Sequence, residues 1–131
     1  MTMTAVLQPE PAPITACTVS RDVQNFDLLI EDMETELGES WGDLGFADAY
    51  SFLDQDEAAE LEFFAIALDS EDEGNLPEIT ALIAKARDRG VKVILIAEDV
   101  SPIVLHQLLH NGADDFVPYP LPESALHDAI A

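Results

Sequence analysis

The stretch Asn111 to Leu126, N-G-A-D-D-F-V-P-Y-P-L-P-E-S-A-L, decides the fold. Gly112 is placed to close a helix, Asp115 to Val117 to form a short strand, and Pro122 to begin a further helix. Immediately upstream, Val91 to Ala97 (V-K-V-I-L-I-A) reads as a buried strand, and Ser101 with Pro102 forms an N-cap and first-turn pair. Val104, Leu105, Leu108 and Leu109 give the helix that follows its apolar face. Further back, Leu61 to Leu68 is an almost unbroken apolar run of strand length, as expected where both faces of a parallel strand are covered. It leads into an acidic loop, Asp69 to Glu73. Pro77 then suits the first turn of a helix whose inner face carries Ile79, Leu82, Ile83 and Ala86, with Gly90 at its end.

The first half carries the same alternation. Residues Met1 to Pro13, with Pro9, Pro11 and Pro13, predict an extended or disordered, flexible lead-in, so the folded unit spans 14–131. Ile14 to Val19 reads as a strand, and Phe26, Leu29, Ile30, Met33 and Leu37 fall at helical spacing before Gly38. Trp41 to Phe46 reads as a short second strand and Ala47 to Glu60 as an acidic helix with Ala49, Phe52 and Leu53 inward. Strands alternating with helices at these lengths predict an α/β domain: a flavodoxin-like parallel sheet of five strands, order 2-1-3-4-5, with helices on both faces. Ligands of such sheets sit at the carboxyl ends of the strands, which here are Ser20 to Asp22, Asp69 to Glu73, Ala97 to Asp99 and Val117 to Pro120.

Charge narrows the partners. The chain of 131 residues has 5 Lys plus Arg against 27 Asp plus Glu, a net charge of −22. That repels nucleic-acid phosphates and anionic lipid headgroups. Asp22 to Ala84 contains 19 of the acids and no lysine or arginine, whereas four of the five cations lie between Lys85 and Lys92. Such polarity can steer a basic partner, although a solvated acidic face for solubility is the simpler reading. There is no leader-like or membrane-spanning apolar segment, so the cytoplasm is the expected compartment. The lone Cys17 lies inside a strand with no histidine or basic neighbour, which predicts a buried structural thiol. Trp41 is assigned to packing.

The closing stretch resembles a two-component receiver domain of the CheY type, in which Gly-Ala-Asp precedes the fifth strand and Lys-Pro follows it. The resemblance implies acidic residues after the first strand to hold Mg²⁺, an aspartate nucleophile ending the third, a hydroxyl after the fourth and a lysine after the fifth. Here the first position reads Ser20, Arg21, Asp22, so an arginine intrudes on the acidic pair. At the third strand either Ala67 or, two residues along on the same face, Asp69 takes the nucleophile's place. Ile96 replaces the hydroxyl, and Tyr119, before Pro120, replaces the lysine. A tyrosine is neutral at pH 7 and cannot offset phosphoryl oxygens as an ammonium does. These residues predict a pseudo-receiver with a degenerate pocket and no catalytic residue; the alternative is a phosphoacceptor using Asp69.

Two longer stretches narrow the likeness. Val91 to Pro122, V-K-V-I-L-I-A-E-D-V-S-P-I-V-L-H-Q-L-L-H-N-G-A-D-D-F-V-P-Y-P-L-P, resembles the amino-terminal domain of CpaE/TadZ pilus-assembly proteins, as does S-R-D-V-Q-N-F-D-L-L-I-E-D-M near the start. In that family an atypical receiver precedes a ParA/MinD-like ATPase and helps organise the Tad (Flp) pilus machinery, often at a cell pole. The resemblance implies a non-enzymatic module with self-association and Tad components as partners, and no cofactor. None of the six glycines builds G-x-x-x-x-G-K-[ST], so the ATPase half is absent from this chain. The short final helix predicts a piece of a longer protein, with Leu126 and Ile130 continuing an apolar face into further sequence.

By the same resemblance, His106, Gln107, His110, Phe116, Tyr119 and His127 are the expected contact residues. His106 and His110 stand at i, i+4, a spacing that can bind a transition metal, but without a following Glu or nearby Cys they read more simply as surface. Asp22, Asp69, Glu71, Asp72, Glu73, Glu98 and Asp99 would line the sheet's carboxyl edge, where weak Mg²⁺ or Ca²⁺ binding competes with the simpler reading of solvated loop carboxylates.

Overall fold

Strands and helices alternate along the whole described chain. The computed structural model describes residues 14–21, 23–38, 40–55, 58, 60–122 and 125–130. The expected lead-in 1–13 and the candidate pocket residue Asp22 lie outside them. The strands are β1 (Ala16–Val19), β2 (Trp41–Leu44), β3 (Phe63–Leu68), β4 (Lys92–Ala97) and β5 (Asp115–Pro118). The helices are α1 (Asp27–Leu37), α2 (Phe46–Phe52), α3 (Leu76–Asp88), α4 (Pro102–His110) and α5 (Ala125–Ile130). The strands form one parallel sheet in the order β2-β1-β3-β4-β5, as the alternation predicts.

All six residues of β3 are buried, because helices cover both faces of the central strand. One face places Val19, Phe64, Ile66, Leu68, Val93 and Leu95 against Ala49 and Leu53, Ile79, Leu82 and Ile83 of α3, and Val104 and Leu108 of α4. The other places Ala16, Phe63, Ala65, Ala67, Ile94, Ile96 and Val117 against Phe26, Leu29 and Met33 and against Leu126 and Ala129 of α5. Cys17 is buried in the first cluster, and burial pushes its thiol up to about 11. Trp41 packs against the second. Leu126, expected to extend an apolar face beyond the chain, is enclosed in this core; the side chain of Ile130 lies outside the described set.

Helix ends follow the local chemistry. The N–H of Gly38, at φ +60°, donates to the Glu34 carbonyl and closes α1. Ser101 Oγ accepts from the Val104 N–H at 3.3 Å and starts α4. Ala125, the first residue of α5, donates its N–H to the Pro122 carbonyl at 3.0 Å.

Two elements differ from expectation. Phe46 opens α2 instead of ending β2, because β1 offers only four residues to pair with and Ser20 N–H closes the ladder on the Leu44 carbonyl. The acidic helix expected to reach Glu60 stops at Phe52: Leu53 is drawn into the core, and the Asp54 and Gln55 amides turn back onto the Ser51 and Phe52 carbonyls. Asp54, held low by Lys85, forms ion pairs with Lys85 at 2.8 Å and Arg89 at 3.1 Å. Among the described residues no helix is long and apolar enough to cross a membrane.

Candidate functional site

The pairing register gives the two candidate positions at β3 their levels. Ala67 lies level with Ile96, and Ile96 with Val117, all buried. Asp69 is the first residue beyond the strand, two positions farther out on the same face. The level shared with Ile96 and Val117 is held by a methyl group. Asp69 instead caps a 3-10 turn, Ser70–Asn75: its Oδ1 accepts from the Glu71 N–H at 2.9 Å, while its own N–H donates to Asp72 Oδ2 at 2.9 Å.

Arg21 crosses from the end of β1 into this turn. Its Nη2 donates to Asp69 Oδ1 and Oδ2 at 2.7 and 2.6 Å, and its Nε to Asp72 Oδ1 at 2.8 Å. Glu71 Oε2 stands farther off, at 3.4 Å on an exposed side chain. The Asp72 side chain is only 3% exposed. Burial raises its pKa above the ordinary aspartate value, against the opposing pull of the Asp69 N–H and of Arg21. The Arg21 guanidinium is pushed up, first by its hydrogen bond to Asp69 and then by that to Asp72.

Tyr119 turns away from the acids. Its hydroxyl oxygen accepts from the Leu28 N–H at 3.1 Å, in the first turn of α1, and its ring meets Phe26 edge-to-face at 5.1 Å. The following Tyr119–Pro120 peptide is cis, and Pro120 is exposed. Ile96 contributes no hydroxyl.

The acids expected to line this edge thus divide. Asp69, Glu71 and Asp72 gather around Arg21, whereas Glu73 Oε2 accepts from the Ser101 N–H at 3.2 Å, at the entrance to α4. Asp99 is exposed, with φ +57°. Among the described residues no three His, Cys, Asp or Glu side chains are grouped as metal ligands. The magnesium ion implied by the receiver resemblance does not fit the donors seen here: a guanidinium bridges the two closest carboxylates, and one oxygen of each also accepts a backbone N–H.

The expected contact residues also divide. His106, Gln107 and His110 lie exposed on α4, and with Ile103, 73% exposed, they form an i, i+3, i+4, i+7 stripe. Phe116 is half-buried against the α3 and α4 side of the core. Tyr119 belongs to the start of α1, and His127 faces α1, with Nδ1 2.9 Å from Glu36 Oε2.

Sequence reading missed Asp72 as the buried partner of Arg21. Two signals pointed there: Asp69 and Asp72 have capping-box spacing, and Arg21 immediately precedes a long segment without another cation.

No family model and no curated protein matches the chain. Solved structures do. A cpaE pilus-assembly candidate from Burkholderia thailandensis E264 aligns with TM-score 0.63 and 20% identity, over 89% of this chain and 94% of that one. The pilus assembly protein CpaE of Caulobacter crescentus CB15 aligns with TM-score 0.61 and 13% identity, over 91% and 92%. A response regulator receiver protein of Pseudoalteromonas atlantica gives TM-score 0.61 and 19% identity, over 88% and 93%. The chain therefore has the receiver-domain fold, and the solved structures that share it include CpaE pilus assembly proteins as well as response regulator receivers.

Proposed function

We propose that this chain is a receiver-fold interaction domain of pilus assembly that acts without accepting a phosphoryl group. Its partners are a second copy of itself and components of the Tad (Flp) machinery, met in the cytoplasm and at a cell pole. The observation that carries this reading is the register setting Ala67 beside Ile96, with Tyr119 committed to α1. Phosphoryl transfer needs a placed nucleophile and cations against the transferred oxygens. At the strand ends to which we assign those roles a methyl, a butyl and a phenol stand. The CpaE structures of the same fold supply the setting. The exposed α4 stripe of Ile103, His106, Gln107 and His110 is the contact surface we assign to it.

The test has two arms. Incubation with acetyl phosphate and Mg²⁺ should leave the intact mass unchanged; a phosphoryl adduct abolished by Asp69→Asn would restore the phosphoacceptor reading. Sedimentation and co-precipitation with Tad components should reveal association weakened by Ile103→Asp. A strictly monomeric chain that binds no Tad component would remove the role.

A further inference from the structure

The carboxylates at the sheet's carboxyl edge already hold a cation, and it is part of the chain. Arg21 reaches Asp72 through Nε and Asp69 through Nη2, a two-point grip that uses the planar fork of the guanidinium. Asp72 is almost fully enclosed, and a carboxylate so placed requires a counter-charge. A guanidinium supplies that charge at every physiological pH, because it does not deprotonate in proteins. Its occupancy is also independent of any ion's concentration.

The grip reaches beyond the acids. Asp69 and Asp72 are the two ends of the cap on Ser70–Asn75, and Glu73 in the same turn bonds the Ser101 N–H at the start of α4. One side chain from the end of β1 therefore fixes the turn after β3, and through it the entrance to the helix after β4.

We infer that Arg21 is the resident cation of this edge: it takes the place that the receiver fold gives to a divalent ion, excludes that ion by charge, and holds the Ser70–Asn75 turn in one conformation whatever the metal supply. The inference goes beyond the proposed role, since it concerns how the edge is neutralised and not what the domain contacts. It can fail while association survives.

The experiment is an amide NMR titration of the full chain with Mg²⁺, and with Mn²⁺ as a paramagnetic reporter, on the natural protein, Arg21→Gln and Arg21→Lys. In the natural protein the Asp69, Glu71 and Asp72 amides should neither shift nor broaden selectively. Arg21→Gln should gain both effects there, with affinity higher by about tenfold or more, the scale on which a neighbouring charge acts on a carboxylate. Arg21→Lys keeps the charge and should exclude the ion, while its Asp69 amide exchanges faster because the two-point grip is gone. Equal ion binding by the natural protein and Arg21→Gln, or binding by Arg21→Lys as strong as that of Arg21→Gln, would overturn the inference. Should Arg21→Gln fail to fold, recovery of the native spectrum with Mg²⁺ supports it and no recovery refutes it.

Discussion

Tyr119 ties the end of β5 to the start of α1. A phenol ring brings enough apolar surface to pack on Phe26, and its oxygen accepts from a backbone N–H at the α1 N-terminus that has no acceptor within the helix. Tyr119→Phe keeps the ring contact and removes the acceptor, so it should cost about 1 kcal/mol, read from urea unfolding. His127 offers a pH readout. Glu36 holds its pKa above the ordinary 6.5 by hydrogen bonding and charge. A histidine raised in the folded state contributes stability that is fully present below 6.5 and is lost as pH climbs through the folded value. The melting-temperature gap between the natural protein and His127→Gln should therefore be wider at acid than at alkaline pH. Cys17 should resist alkylation in the native protein at neutral pH and react only on unfolding, since its thiol is buried and raised to about 11.

Among the elements, the helix termini carry the sharpest local chemistry. Ser101→Ala removes the side-chain acceptor for Val104 and should lower stability by about 1 kcal/mol. The glycines make a paired comparison. Gly112 has φ +129°, and an added Cβ would lie 3.1 Å from Arg87 Cδ, so Gly112→Ala should destabilise by more than about 1 kcal/mol. Gly74 has ordinary φ and open space, so Gly74→Ala should be neutral or slightly stabilising in the same denaturation series. These signals also explain what was legible in the sequence. β3 and β4 could be read from their unbroken apolar runs, and α3 and α4 because apolar period, first-turn proline and terminating glycine agree. The end of α2 could not, because Leu53 continues the helical pattern while the core redirects the backbone. At the candidate site, Ile96 and Tyr119 could be singled out from the sequence. The level of Ala67 and Asp69 relative to Ile96 could not, since a slip of two residues preserves the face and only cross-strand pairing fixes it.

For the molecule as a whole, charge and topology set the terms of association. A net charge of −22 opposes compaction, and most described ion pairs draw on the few cations available. Added NaCl should therefore raise the melting temperature, as screening relieves more repulsion than it removes attraction. A fall would mean that Arg21 and Lys85 contribute more than the general repulsion. The sheet's two open flanks have a consequence for recruitment. β2 and β5 are four residues each; β2 carries an exposed aspartate, Asp43, and β5 ends on Pro118, which has no N–H to give. An incoming chain would find too short a backbone template to zip onto, and at β5 one already missing a donor. Such margins resist runaway lateral stacking, so the self-association proposed above would run through helix side chains while the sheets remain separate.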